Sequence, residues 1–422
     1  MRGARRAVLA IALAAACADP DPAATSDGGD TDGGGGGREL TYWGDVHPIL
    51  AARCDRCHLA GPSSYRPLFD GYDHIAQVAG AIAVAAGTRE MPPWAVTADG
   101  SCGDWDRAEW LGGDEIRGLQ EWAESGMAEG DAADARTPDL DPAPRSLRAV
   151  DAVIDTGAEY QPALGDRLHR CFRAALDLDQ ASIMTAFQVD PGNPRAVQHV
   201  ALYSLDSDAA EAQAAALEVE DAEPGYHCFG GSRVDDSRLL GTWTWGEAAF
   251  RFPDRTGVRL EAGRDVVVQI HYNTDGGSAT PATDRTRVEL ELDASAEEGR
   301  FVPLEVAALS LAPGQQRTTA AALLSAPESM VVRGVFPFMH SLGQRLLFLD
   351  GGGRCLAEVA HWHLYAHMRY YGYREPLRVT AGDHLWLECS YDTESRSQPT
   401  PGGEAFDAEA CRVNLFATAP AD

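Results

Sequence analysis

Cys54-Asp55-Arg56-Cys57-His58 sets two thiols three residues apart with an imidazole directly after the second. This is the spacing of a c-type haem attachment site. Each thiol forms a thioether with a haem vinyl group, and the histidine falls beneath the iron as its proximal ligand. Upstream, Val46, Ile49, Leu50 and Cys54 recur at helical spacing, so a first helix delivers the motif at its end. A second helix is predicted from Asp73 as N-cap through Ile75, Val78 and Ile82 to Gly87. A third runs from Asp114 through Ile116, Leu119 and Trp122 to Gly126. Three short helices around a haem make a small all-α cytochrome c domain over residues 39–130. Between the last two helices lies Met91-Pro92-Pro93-Trp94. The Met91 thioether is the candidate second axial ligand, presented by a loop that the prolines stiffen.

The chain begins with a basic Met1-Arg2-Gly3-Ala4-Arg5-Arg6 and an apolar Ala7 to Ala16, ending in Ala14-Ala15-Ala16-Cys17. That is an export signal over residues 1–17, too short to span a bilayer as a helix. Small residues before Cys17 match a lipoprotein cleavage box, which makes Cys17 the candidate lipid-anchor site. Residues 18–38, rich in Asp and Gly, build no core and read as a disordered linker. The expected location is periplasmic or on the cell surface of a bacterium, where disulfides persist.

The 422 residues carry a net charge of -29 and contain no lysine. So acidic a surface excludes nucleic acid as a partner. No Gly-x-Ser-x-Gly elbow or His-Glu-x-x-His helix is present, which sets hydrolase classes aside.

Beyond a Pro/Asp-rich linker (131–147), periodicity switches from helical to alternating. Val197 to Tyr203, Val266 to Tyr272, Arg333 to Phe338 and Leu385 to Tyr391 read as strands separated by turn residues. The remainder is predicted as two all-β sandwiches in tandem, over 148–295 and 296–422, with the break near Ala294 to Arg300.

Asp45-Val46-His47-Pro48-Ile49-Leu50, the haem motif, Met-Pro-Pro-Trp and the closing Trp122-Ala123-Glu124-Ser125-Gly126 resemble the cytochrome module that bacteria fuse ahead of copper type II, ascorbate-dependent monooxygenases. Residues 150 to 420 are similar to those enzymes, typified by peptidylglycine α-hydroxylating and dopamine β-monooxygenases. The resemblance implies two jelly-roll-like sandwiches, each contributing ligands to one copper, and O2-dependent hydroxylation of a small-molecule or peptide substrate. It also implies an electron donor or acceptor for the haem. One copper takes three histidines; the other takes two histidines and a methionine. In the first domain the family's His-His pair falls on Gln198-His199 and its third histidine on His271. In the second, His-x-His falls on Phe338-Met339-His340, and the methionine falls on Ala410. His199, His271 and His340 are thus retained copper positions, while neither Phe338 nor Ala410 can bind a metal. The alternative is a copper-depleted haem lipoprotein whose sandwiches serve recognition.

A separate candidate lies in His361-Trp362-His363-Leu364-Tyr365-Ala366-His367. On a strand, His361 and His363 would share a face roughly 6 to 7 Å apart, a spacing that chelates copper or zinc. By the family's pattern Cys389 pairs with Cys411, and Cys171 with Cys228. Cys102 and Cys355 remain, either free or joining the two domains.

Overall fold

The computed structural model describes residues 38–58, 67–93, 96–136 except 107 and 109, 146–163, 167–274 except 246, 248 and 254, 282–363, and 369–420 except 406. Cys17, the rest of the export signal, and Trp94 lie outside them. Leu40–Asp422 forms one compact unit.

The helices form where periodicity places them, except that Gly71 rather than Asp73 is the N-cap of the second, Asp73 lying inside its first turn. A π-turn at Tyr42–Val46 runs into His47–Arg53, a short helix Asp55–His58 carries the second thiol and the imidazole, and Tyr72–Gly87 and Gly113–Glu124 complete the set. Their apolar stripes meet in one cluster of Tyr42, Val46, Leu50, Phe69, Ile75, Leu119 and Trp122. The Trp122 indole donates to the Ala128 carbonyl at 3.0 Å, so burying this polar ring leaves no donor unsatisfied.

The rest is mostly sheet. A five-stranded sheet orders its strands Tyr226–His227, Arg167–Ala174, Val266–Asn273, Val197–Leu205 and Ser237–Thr244. Val266–Asn273 is central, and its run of apolar residues follows from burial on both faces. Val266, Val268, Ile270 and Tyr272 enter the core beneath. Val267 packs outward against Ala210 and Ala214 of the helix Asp208–Glu220. Ser207 caps that helix by accepting from the Ala210 amide at 3.1 Å, a signal at the head of an alanine-rich stretch.

Opposite lies a nine-stranded sheet that runs through both halves of the β region. Its first half is built from Ala152–Asp155, Arg287–Leu292, Ser182–Asp190 and Thr256–Leu260, with the short Phe250–Arg251 also pairing to Ser182–Asp190; its second from Glu297–Glu305, Arg412–Thr418, Met330–Phe338 and Tyr371–Val379. The halves join by parallel pairing of Thr256 with Glu297 and Val258 with Gly299. A four-stranded sheet, from Thr318–Ser325 to Cys355–Val359, packs on the second half. The architecture is therefore two β-sandwiches sharing one continuous sheet. The expected break over Ala294 to Arg300 shrinks to a turn, since Glu297 onward is strand and is itself the seam.

Among the described residues three disulfides are present: Cys171–Cys228, Cys389–Cys411 and Cys102–Cys355. The last settles the pair that sequence left open. It fastens a strap, residues 96–106, to the second sandwich, where the Trp105 ring stacks on Tyr373 at 4.8 Å and the Thr97 amide donates to the Glu358 carbonyl at 2.8 Å. Such bridges form in an oxidising compartment. Among the described residues no helix is long and apolar enough to cross a membrane.

Candidate metal centre

His271 pairs directly with His169 on one neighbouring strand and with His199 on the other. Cross-strand partners project from the same face, so three imidazoles stand in a row over the five-stranded sheet. Their ligand nitrogens all lie within 4.8 Å of one another. The His169 and His271 rings stack in parallel at 4.2 Å, and His271 Nδ1 sits 3.2 Å from His199 Nδ1. The register needs a bulge between Val197 and His199, where Gln198 is the extra residue. Without it, His199 would slip to the core face.

Two of these residues are the positions expected from the resemblance; His169 is not, and it supplies the third imidazole of the row where the resemblance puts Gln198. The Gln198 amide is buried, and neither its oxygen nor its nitrogen has a hydrogen-bond partner among the described residues. One signal pointed to His169: it lies two residues before Cys171, so strand alternation puts both on one face.

His340 is placed apart from the row. The Phe229 ring lies between them, 4.9 Å from His169 and 5.1 Å from His340. His340 Nδ1 lies 2.9 Å from the Ala408 carbonyl, and burial holds its pKa below the usual histidine value. Beneath it the buried Glu409 carboxylate accepts from the His340 and Leu342 amides at 3.0 and 2.6 Å. Burial pushes the Glu409 carboxyl up to about 7. Phe338 and Ala410 are buried beside His340 with Phe336 and Ala201. One imidazole, with Phe338 and Ala410 at the other expected positions, does not make the second copper site that the resemblance implies.

A cavity of about 360 Å³ opens next to this cluster, between Tyr203 and Leu239 of one sandwich and Phe336, Phe338 and Arg412 of the other. Arg412 lies over the Phe338 ring at 5.4 Å and is paired with Glu305 and Glu404, so the wall carries little net charge.

The strand expected from His361 is corrected: His361, Trp362 and His363 are in irregular chain, which removes the alternation that made them a chelating pair. The reason is local. The Trp362 indole donates to the His340 carbonyl at 3.2 Å and its amide to Gln344 at 2.7 Å, folding the segment over the loop that follows Phe338. His361 is exposed and His363 half-buried. Residues 364–368 lie outside the described residues.

Cys54, Cys57 and His58 are each half-buried, Cys54 against the helical cluster and Cys57 against the core of the first sandwich. His58 Nδ1 lies 2.8 Å from the Pro67 carbonyl, and its ring stacks on Phe69 at 4.6 Å. A carbonyl can only accept, so Nδ1 carries the proton and Nε2 keeps its lone pair for a metal. Met91 is 38% exposed.

Comparison with family profiles and with curated proteins finds no match. Among solved structures the chain is similar to the major capsid protein of bacteriophage PM2, with a TM-score of 0.27 and 12% identity over 64% of this chain and 97% of that one. It is also similar to PNGase F, a glycosylasparaginase from Flavobacterium meningosepticum, with a TM-score of 0.29 and 8% identity over 63% and 95%. Likeness at this level carries no argument about function.

Proposed function

We propose that this chain is an exported redox protein with two one-electron centres, a c-type haem on Cys54, Cys57 and His58, and one copper on His169, His199 and His271. The row of three imidazoles carries this reading. Imidazole suits both copper oxidation states, and three of them on adjacent strands of one sheet make a rigid donor set. The haem assignment is supported by the thiol spacing, the His58 tautomer and the partial exposure of all three side chains. Bound haem and copper would each supply a one-electron couple. The chain's own groups would hold them: the Pro67 carbonyl fixes the His58 ring, the Met91 thioether would serve as a further haem ligand, and His199 and His271 are buried from water.

The donor set around His340 does not fit a second copper, so no hydroxylation step is assigned to it. The chain belongs by resemblance beside the copper type II monooxygenases, while its residues support electron transfer instead. The neutral, aromatic-walled cavity by Phe338 supports a recognition role for the sandwiches, with a small organic molecule or peptide as occupant. Ascorbate-dependent O2 uptake by the copper-loaded, haem-containing protein tests this. The expected result is reduction of both centres without catalytic O2 consumption; sustained uptake coupled to hydroxylation of any substrate would overturn it.

A further inference from the structure

We propose that the second sandwich completes the haem site: His363 stands beside the Met91 loop as a positioning residue, so that the Met91 side of the site is closed by the β region and not by the helical region alone. The inference rests on the haem reading above and gives that site a wall from another part of the chain.

The Met91 side chain needs such a wall. It is 38% exposed and takes no part in the helical apolar cluster, which Met127 joins instead. A thioether holds iron weakly, so its bond lasts only where water and nitrogen bases are kept away. The loop that carries it is anchored at its start. The Met91 amide donates to the Ala85 carbonyl at 3.1 Å, and Arg89 donates to the Leu111 carbonyl at 3.1 Å while lying over the Trp110 ring at 3.7 Å.

Chain direction brings the second sandwich to this loop. Thr97 is bound to Glu358 twice, amide to carbonyl at 2.8 Å and hydroxyl to carboxylate at 3.1 Å, and the Gly103 amide donates to the Cys355 carbonyl at 3.3 Å. Residue numbers rise on one segment as they fall on the other, so the two run antiparallel, and the Cys102–Cys355 disulfide locks their register. Followed back from Thr97, the first segment leads to Met91; followed on from Glu358, the second leads to His363.

The charges agree with that path. Burial holds the half-buried His363 imidazole below the usual histidine pKa, and the carboxylate of Glu90, the residue before Met91, opposes the lowering. The two groups therefore lie close enough to act on each other. Behind His363 its neighbour Trp362 is fixed, the indole to the His340 carbonyl at 3.2 Å and the amide to the Gln344 carbonyl at 2.7 Å. The first sandwich closes in as well, since Cys57 packs against its core. The attachment motif and the Met91 loop thus both abut the β region.

NMR of the histidine-labelled full-length protein, matured with its haem, tests the proposal. With ferric, paramagnetic iron the His363 ring signals, assigned through His363→Gln, should be shifted or broadened, and reduction to low-spin ferrous haem should restore them. Imidazole titration of the ferric protein, followed by the Soret band, reads the closure. His363→Ala should bind imidazole about tenfold more tightly than the unsubstituted chain, with His363→Gln close to the unsubstituted chain. His363 signals that ignore the oxidation state of the iron overturn the proposal without any functional variant, and so does equal imidazole affinity in His363→Ala. Protein that carries no covalent haem overturns the haem reading instead, and the role of His363 with it.

Discussion

His199 Nδ1 and His271 Nδ1 lie 3.2 Å apart across adjacent strands. Two ligands about 2.0 Å from a tetrahedral metal are separated by about 3.3 Å, so the strand pairing already sets this pair at metal-binding distance. Without a metal one Nδ1 can donate its proton to the other, and a bound metal would take that proton's place. Removing any member of the row leaves two ligands. His169→Ala and His271→Ala should each lower copper affinity by more than the about 100-fold that loss of an outer partner causes, while His340→Ala should leave it unchanged. Isothermal titration with Cu(I) and Cu(II) checks this. Equal affinity in His169→Ala would remove His169 from the site.

The haem reading predicts two separable losses. Cys54→Ala with Cys57→Ala should abolish covalently attached haem, seen as loss of haem staining on a denaturing gel. Met91→Ala should leave attachment intact and convert the ferric spectrum from low-spin to high-spin. An unaltered spectrum in Met91→Ala would assign the sixth ligand elsewhere.

Cys102–Cys355 closes a span of 253 residues between the helical region and the second sandwich. Replacing both by serine should destabilise the chain by about 2 to 4 kcal/mol in urea unfolding, as removal of a native disulfide does. It should also expose residues 96–106 to proteolysis, because the Trp105–Tyr373 stack is then held by noncovalent contacts alone. Unchanged stability would mean that those contacts suffice.

Glu409 makes stability depend on pH. Burial raises its carboxyl from 4.5 to about 7, so the folded state favours the protonated form. Its stabilising contribution is complete below 4.5 and is lost as pH rises through 7, about 3 kcal/mol in all. The urea midpoint should therefore carry a downward component between pH 5 and 8 that Glu409→Gln removes. A variant with the same pH slope as the unsubstituted chain would contradict this. The opposite case is Glu291, which Arg251 binds through both oxygens at 2.6 and 2.8 Å and thereby holds down at about 2. Its contribution is present above 4.5 and is lost as pH falls through 2.

Local pattern made much of the fold legible. Asp73, Asp114 and the apolar spacing after them mark helices that form at Tyr72–Gly87 and Gly113–Glu124. The alternating runs at Val197, Val266, Arg333 and Leu385 all lie in strands, and the family pattern implied Cys171–Cys228 and Cys389–Cys411. Long-range register was not legible. His169 sits in Arg167-Leu168-His169-Arg170-Cys171-Phe172, an ordinary alternating strand, and only its pairing with a strand about a hundred residues later brings it opposite His271. The shared sheet was hidden for the same reason: Thr256 pairing with Glu297 is a property of the assembled edge, not of either segment. His361 to His363 misled because alternation suggested a strand where Trp362 instead follows its hydrogen bond to His340.

The most direct test of the central claim is the copper-to-haem ratio of protein matured in an oxidising compartment, measured by metal mass spectrometry and pyridine haemochrome on one sample. The account predicts one copper per haem, with that copper lost in His169→Ala. Two coppers per haem would restore the paired-copper enzyme, and haem without copper would reduce the three-histidine row to packing.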